Sequence, residues 1–327
     1  MKLVIMIPCL NEEATLPLVL KTIPKKIKGI DKIELLVIDD GSSDRTQAVA
    51  KALGVKNFLI HTANQGLSRS FRHGLNRALA MGADIIVLTE GDNQYPQERI
   101  PDLIKPILSG KADVVIADRQ TQTIAHFTRR KKFFQKLGTG VLNLAAGTNV
   151  PDAISGFRAY SRAAALQLNP IADYSWATET TIQAARKGHA IAILPIKTNP
   201  KTRESRQFKS SWQHIRRSSV TIVRAFIMYR PYALFFPVSA ILLVIGLVPL
   251  VNFLVIDFSA KHPVGPHHLQ GLIIGSILIV GSFISFTLGV IADLIRINRM
   301  LLEDQLELTK KSSFGDKQIR SRLVKEP

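Results

Sequence analysis

The sequence predicts an α/β fold: a doubly wound, mainly parallel sheet, followed by an interfacial amphipathic helix and a two-helix transmembrane hairpin. Three observations carry this. Short runs of Ile, Val and Leu alternate with helical patterns through about residue 200, as expected of strands buried on both faces and joined by crossover helices. Residues 231–256 and 269–292 contain no charged side chain, and each run matches the roughly 20 apolar residues that cross a bilayer as helix. The chain has 327 residues and a formal net charge of +18. That length suits one large soluble domain plus a further element, and that charge calls for an acidic partner or surface.

Taken in order, the strands fall at residues 3–7, 33–38, 57–60, 85–88, 114–117 and 190–194. The apolar start, Leu3 to Ile7, is too short for a signal-peptide core and reads as the first strand. Helices fit between the strands. One begins near Thr15 with Pro17 in its first turn, another follows Asp44, and a third runs from Leu67 to Met81 and stops at Gly82. Cys9 is the single cysteine, so no disulfide framework exists within the chain.

The first apolar run is preceded by Arg216, Arg217, Arg224 and Arg230, and the second is followed by Arg296, Arg299, Lys310 and Lys311. The connection between them carries only Asp257 and Lys261 as full charges. Positive residues stay on the cytoplasmic side, so the pattern predicts a cell-membrane protein with two spans, the large domain and both termini cytoplasmic. Trp212, Ile215, Ser219, Ile222, Val223 and Phe226 share one helical face, and Arg217 and Arg224 lie on another, as in a helix lying in the membrane interface. The expected division is 1–208 for the α/β domain, 209–229 for the interfacial helix, 230–256 and 269–297 for the spans, and 298–327 for a basic tail. Membrane lipid accounts for much of the positive charge.

Ligands of doubly wound sheets bind at the carboxyl ends of the strands. Those ends are acidic and amide-rich: Pro8 to Glu13, Asp39-Asp40-Gly41-Ser42-Ser43-Asp44, Asn64-Gln65-Gly66, Glu90-Gly91-Asp92-Asn93-Gln94 and Asp118-Arg119. No glycine-rich turn follows the first strand and no P-loop signature occurs, which argues against a dinucleotide fold. An acidic site without interleaved basic and aromatic residues argues against nucleic acid. Glu90, Asp92 and Gln94 alternate, and in extended chain their oxygens would share one side, the donor type that Mg2+ and Mn2+ take. Asp39 and Asp40 can accept from a base N–H and ribose hydroxyls, while Asp44 suits a helix cap. Arg158, in the polar turn that starts at Asp152, can fork onto a phosphate.

Together these pieces resemble the polyprenyl-phosphate sugar synthases of glycosyltransferase family 2, best known from the dolichyl-phosphate mannose synthases. The resemblance covers residues 2–209 and rests on Pro8, Asn11 and Glu12; Asp39-Asp40-Gly41-Ser42 and Asp44; Asn64 and Gly66; Glu90-Gly91-Asp92-Asn93-Gln94; and Ser155-Gly156-Phe157-Arg158. It implies a GT-A fold, a nucleotide-sugar site dependent on Mg2+ or Mn2+, inversion at the anomeric carbon, and a polyprenyl phosphate acceptor such as undecaprenyl or dolichyl phosphate. By the same resemblance, Pro8, Asn11, Glu12, Asp39, Asp40, Asn64 and Gly66 hold the nucleotide sugar, and Glu90, Asp92 and Gln94 hold the metal. Arg119 and Asp152 face sugar and acceptor, Asp152 orienting or acting as base, and Arg158, Arg203 and Arg206 grip phosphates. Glu90 stands where the family places Asp. The basic loop departs from its usual Arg-x-x-Gly-x-Ser-Lys, reading Arg203-Glu204-Ser205-Arg206-Gln207-Phe208-Lys209.

Two other readings compete. A processive polysaccharide synthase would carry a Gln-x-x-Arg-Trp motif and a wider membrane channel, and neither Trp176 nor Trp212 follows an Arg. A catalytically inactive membrane scaffold that binds nucleotide or lipid would show no turnover. A lone hairpin also favours self-association into a homo-oligomer.

Overall fold

The computed structural model describes residues 1–120, 147–171, 176–200, 230–259 and 266–314, with isolated positions at 140, 143, 227 and 228. Arg203, Arg206, nearly all of the expected interfacial helix and residues 315–327 lie outside the described residues. The chain divides into two compact units, residues 1–222 with 303–327, and residues 223–302.

The first unit is built on a sheet of seven strands among the described residues, in the order β3-β2-β1-β4-β6-β5-β7. These are β1 (Lys2–Cys9), β2 (Lys32–Asp39), β3 (Asn57–Ile60), β4 (Ile85–Leu88), β5 (Val114–Asp118), β6 (Arg158–Ser161) and β7 (Ile191–Pro195). Every pairing is parallel except those of β6, which runs antiparallel to both β4 and β5. The six strands expected from apolar runs are present. β6 was not expected, because four residues led by a charge make no apolar run.

Both faces of the sheet are covered, which is why β1 is buried from Leu3 to Cys9. On one face Leu3, Ile5 and Ile7 join a core with residues of α1 (Leu16–Thr22) and α4 (Ile100–Leu108). On the other lies α3 (Leu67–Ala80), whose Phe71 stacks on Trp176 of α6 (Trp176–Arg186) with ring centroids 4.3 Å apart. The remaining helices of this unit are α2 (Thr46–Ala52) and α5 (Arg162–Gln167). Helix α3 ends as the sequence predicts. Gly82 takes φ +77°, its N–H bonds to Leu79 O, and Ala83 N bonds to Ala78 O, the paired closing bonds of a left-handed cap.

The chain winds outward from β1 to β2 and β3, then returns to place β4 on the other side of β1. The switch point is therefore the crevice between the carboxyl ends of β1 and β4, where such sheets bind ligands. Register keeps the ends of β1, β2 and β3 level, with Cys9 opposite Asp39 and Asp39 opposite Ile60, while β4 ends at Leu88 opposite Met6.

The second unit contains α7 (Pro231–Ser259) and most of α8 (Pro266–Phe314). Both helices are long and apolar enough to cross a membrane. They pack closely through small residues: a side chain at Gly246 would meet Gly275 O at 2.9 Å. Ser239 and Ser282 exchange hydroxyl-to-carbonyl bonds of 3.0 and 2.8 Å, as between helices that lack water to drive them together. Their outer faces expose Val244, Val248, Ile277 and Phe283 at 64 to 65%. Helix α8 is 49 residues long, about 74 Å at 1.5 Å per residue, and so continues as helix through 298–314, where the sequence suggested a tail. Its last turns belong to the first unit, where Lys310 Nζ donates to Leu168 O at 2.8 Å and Lys187 pairs with Glu307 at 3.3 Å.

Candidate active site

The crevice is closed at its base by the approach of β4 to β1. Gly91 N donates to Pro8 O at 3.3 Å, and a side chain at Gly91 would strike Cys9 Sγ at 2.8 Å. Only glycine allows this spacing. The loop after β1 is then joined to the loop after β2. Asn11, at φ +56°, donates its N–H to Ser42 Oγ (2.9 Å) and accepts from Ser43 N (2.7 Å). Glu12 N donates to Thr46 Oγ1 (2.8 Å) and Glu13 N to Asp44 Oδ2 (3.1 Å).

The paired aspartates shape this rim from within. Asp39 is fully buried; its carboxylate accepts from Ser42 N at 3.0 Å and from Gln47 Nε2. Asp40 accepts from Gln65 N (2.9 Å), Gly66 N (2.8 Å) and His61 Nδ1 (2.7 Å). Asn64 is exposed beside them. The structure thus brings Pro8, Asn11, Glu12, Asp39, Asp40, Asn64 and Gly66 to one end of the sheet, with the two aspartates holding loops. Negative charge collects at the floor: burial pushes the Cys9 thiol well above its ordinary value, and Glu12, Asp39, Asp44 and Asp92 push it further.

Glu90, Asp92 and Gln94 do not project from extended chain. β4 ends at Leu88 and a turn follows, with Asn93 at φ +60°. Asp92 is buried and accepts from Gln94 N (3.1 Å) and Gln94 Nε2 (2.6 Å), so Gln94 offers it a donor rather than a second oxygen. Glu90 turns the other way: its Oε1 lies where a side chain on Gly156 would be, next to the Tyr95 hydroxyl. No three His, Cys, Asp or Glu side chains converge on one point among the described residues. The donor chemistry at Asp92 nevertheless fits a hard divalent cation, which often takes one or two carboxylates and completes its shell with substrate phosphates.

Across the crevice, Arg119 at the end of β5 grips Asp152 in a bidentate fork, Nε to Oδ2 at 2.7 Å and Nη2 to Oδ1 at 3.0 Å. Arg119 N adds a third bond at 3.2 Å. Asp152 is buried while Arg119 is about a quarter exposed. Burial acts to raise the Asp152 pKa, but the charge and hydrogen bonds of Arg119 outweigh it and hold the carboxyl below its usual range. For Arg119, burial opposes the charge, and Tyr95, Asp152 and Glu90 overcome it, so its pKa is raised. Tyr95 accepts from Gly156 N at 2.9 Å and stacks on Phe157 at 5.4 Å. Burial and then Glu90 raise its phenol. Tyr95 was absent from the residues singled out in the sequence; its place directly after Gln94 was the available signal.

Arg158, expected to grip a phosphate, is engaged within the protein. It is fully buried in β6, and its guanidinium donates to the carbonyls of Ser155 (2.7 Å), Ala153 (2.8 Å) and Ala177 (2.8 Å) and to the hydroxyls of Thr180 and Thr181. It also lies 5.4 Å from the Trp176 ring centroid.

The mixed sheet thus sets an acidic crevice at its switch point and an Arg119–Asp152 pair across from it. The chain belongs to glycosyl transferase family 2, whose profile matches residues 4–168, and it is a glycosyltransferase with a GT-A-like fold. It is 25% identical over 203 residues to the polyprenol monophosphomannose synthase of Mycolicibacterium smegmatis, covering 59% of this chain and 75% of that protein. It is 26% identical to the UDP-N-acetylglucosamine–dolichyl-phosphate N-acetylglucosaminyltransferase of Methanococcus voltae, covering 59% and 84%. Among solved structures, glucosyl-3-phosphoglycerate synthase from Mycobacterium tuberculosis, in complex with Mn2+, UDP-glucose and phosphoglyceric acid, shares the fold. Its TM-score is 0.52 at 22% identity, covering 68% of this chain and 79% of that one.

Proposed function

We propose that this chain transfers a sugar from a nucleotide sugar to a polyprenyl phosphate at the cytoplasmic face of a membrane, with inversion and with a divalent metal. The observation that carries the reading is the Arg119–Asp152 fork, a fixed cation at the end of β5 in a family 2 domain that continues into two apolar helices. The polyprenol and dolichyl names of the relatives support the acceptor class.

The chemistry follows from charge. A polyprenyl phosphate is mostly dianionic near neutrality, by analogy with a second phosphate pKa of about 6, so its oxygen is already a nucleophile. Asp152, ionised and engaged on both oxygens, is better suited to orienting Arg119 than to removing a proton. Arg119 then presents its charge where an anionic acceptor must approach. Asp92 would hold Mg2+ or Mn2+, which when bound supplies counter-charge to the departing diphosphate. Asp39 and Asp40 hold the rim against which base and ribose would lie.

Incubating the purified full chain with UDP- and GDP-sugars and undecaprenyl or dolichyl phosphate, followed by mass spectrometry of the lipid fraction, tests this. A glycosyl phospholipid and released nucleoside diphosphate are expected; transfer to soluble glycans alone would refute the acceptor class. Orientation is tested in a Cys9→Ser background with Ser259→Cys or Ser321→Cys and an impermeant thiol reagent on intact cells. Labelling at 259 and not at 321 is expected, and the reverse pattern would overturn the orientation.

A further inference from the structure

The rim loop between β3 and α3 is anchored by Asp40, and Asp40 in turn meets a histidine outside the family motifs. Asp40 and His61 are 5% and 7% exposed. The Asp40 carboxylate can only accept, so His61 Nδ1, 2.7 Å away, carries a proton and donates it. In the neutral ring Nε2 is then an acceptor, and it meets His73 Nδ1 at 3.0 Å. His73 therefore donates in turn. One tautomer of each ring satisfies a chain of bonds from the loop through β2 and β3 to α3. Burial, His61, Arg72 and Arg69 lower the His73 pKa, with only Asp40 opposing.

The loop has little freedom to move without the chain. Asp40 accepts from Gln65 N and Gly66 N, and Gly66 enters α3 at φ +87°. On its other side the loop presses on Gly41, where a side chain would meet Ala63 C at 2.7 Å. We infer that His61 and His73 are positioning residues for nucleotide binding, holding Asp40 in the orientation that sets the Asn64–Gly66 loop. This rests on the reading that the loop faces the nucleotide. Removing the imidazole leaves a buried carboxylate oxygen short of a donor, and Asp40 would turn to find one, taking the loop N–H groups with it.

The test is calorimetric binding of UDP and of GDP, with MgCl2, to the full chain in detergent. His61→Leu should weaken the tighter nucleotide about tenfold, the size expected for one hydrogen bond to a charged acceptor. His61→Asn, which keeps an N–H near the position of Nδ1, should restore most of the affinity. His73→Leu, which leaves the Asp40–His61 bond intact, should weaken binding about threefold, the size of one modest neutral hydrogen bond, and serves if His61→Leu does not fold. Asn64→Ala probes the loop itself and should also weaken binding. If Asn64→Ala weakens binding while the histidine variants bind as wild type, the loop reading stands and the positioning chain falls. If none of them changes affinity, both fall. Equal weakening in His61→Leu and His61→Asn, in step with lowered melting temperature, would make the histidines structural and overturn the inference.

Discussion

On the β1–β2–β3 side of the crevice the carboxylates end on backbone N–H groups. Asp39 meets Ser42 N, Asp40 meets Gln65 N and Gly66 N, and Asp44 meets Thr46 N. On the β4–β5–β6 side, Asp152 ends on a guanidinium. The first arrangement fixes loop shape with neutral partners and leaves net negative charge in place, suited to a cation and to hydroxyl donors. The second neutralises its acid and leaves an arginine partly exposed, suited to an anion. The same residue types thus do opposite work, decided by what satisfies them.

The largest expected effect lies on the boundary between these sides. Asp92→Asn removes one negative charge with nearly unchanged shape, and the residue sits in a turn beyond β4 rather than within the sheet. Folding should survive while turnover falls about 100-fold or more, the scale of losing a major electrostatic stabiliser. EDTA should abolish wild-type turnover and Mg2+ or Mn2+ restore it. Full activity in the Asn variant, or indifference to EDTA, would leave diphosphate neutralisation to arginines alone.

The next comparison sets one arginine against another. Arg119→Lys keeps charge but loses the fork onto Asp152, and should lower turnover roughly tenfold to a hundredfold with modest change in melting temperature. Arg158→Lys cannot satisfy the carbonyls of Ala153, Ser155 and Ala177 together, and should cost about 3 kcal/mol of stability. Its folded fraction should keep normal nucleotide affinity. Steady-state kinetics beside thermal unfolding distinguishes them; a donor-binding defect in stable Arg158→Lys would return that residue to the site.

Much of this was legible in the chain and some was not, for physical reasons. Buried parallel strands need continuous apolar runs, so β1 to β5 and β7 announce themselves, while β6, with Arg158 at its head, does not. The carboxyl ends of strands are where function belongs in this topology, so the acidic clusters were found. What each acid touches depends on N–H groups set by loop conformation, which spacing does not encode. For that reason the loop-anchoring bonds of Asp39 and Asp40 were not legible beside their reading as ligand contacts, and the alternation of Glu90, Asp92 and Gln94 assumed an extended chain that the turn at Asn93 replaces. His61 and His73, twelve residues apart on a strand end and a helix, had no pattern to join them.

The smallest effect concerns acid, and it bears on whether Asp152 orients or abstracts. Its folded pKa lies below the usual carboxylate range, because Arg119 outweighs the penalty of burial. A carboxyl lowered on folding adds stability that is fully present above its unfolded pKa of roughly 4. That stability is lost as pH falls through the lower folded value. The melting-temperature gap between wild type and Asp152→Asn should therefore stay constant from pH 7 to pH 5 and narrow only below about pH 4. Glu34, lowered chiefly by its hydrogen bond from Lys32, titrates in the same sense nearer the surface, so Glu34→Gln gives the background against which to read the gap. Asp152→Asn should also leave the shape of the pH–rate profile between pH 6 and 8 unaltered while lowering its height, because a group ionised throughout that range contributes no limb. A gap that closes already at pH 6, together with a lost acidic limb in the rate profile, would mean that Asp152 exchanges its proton near neutrality. The fork with Arg119 would then be a resting arrangement that the reaction breaks.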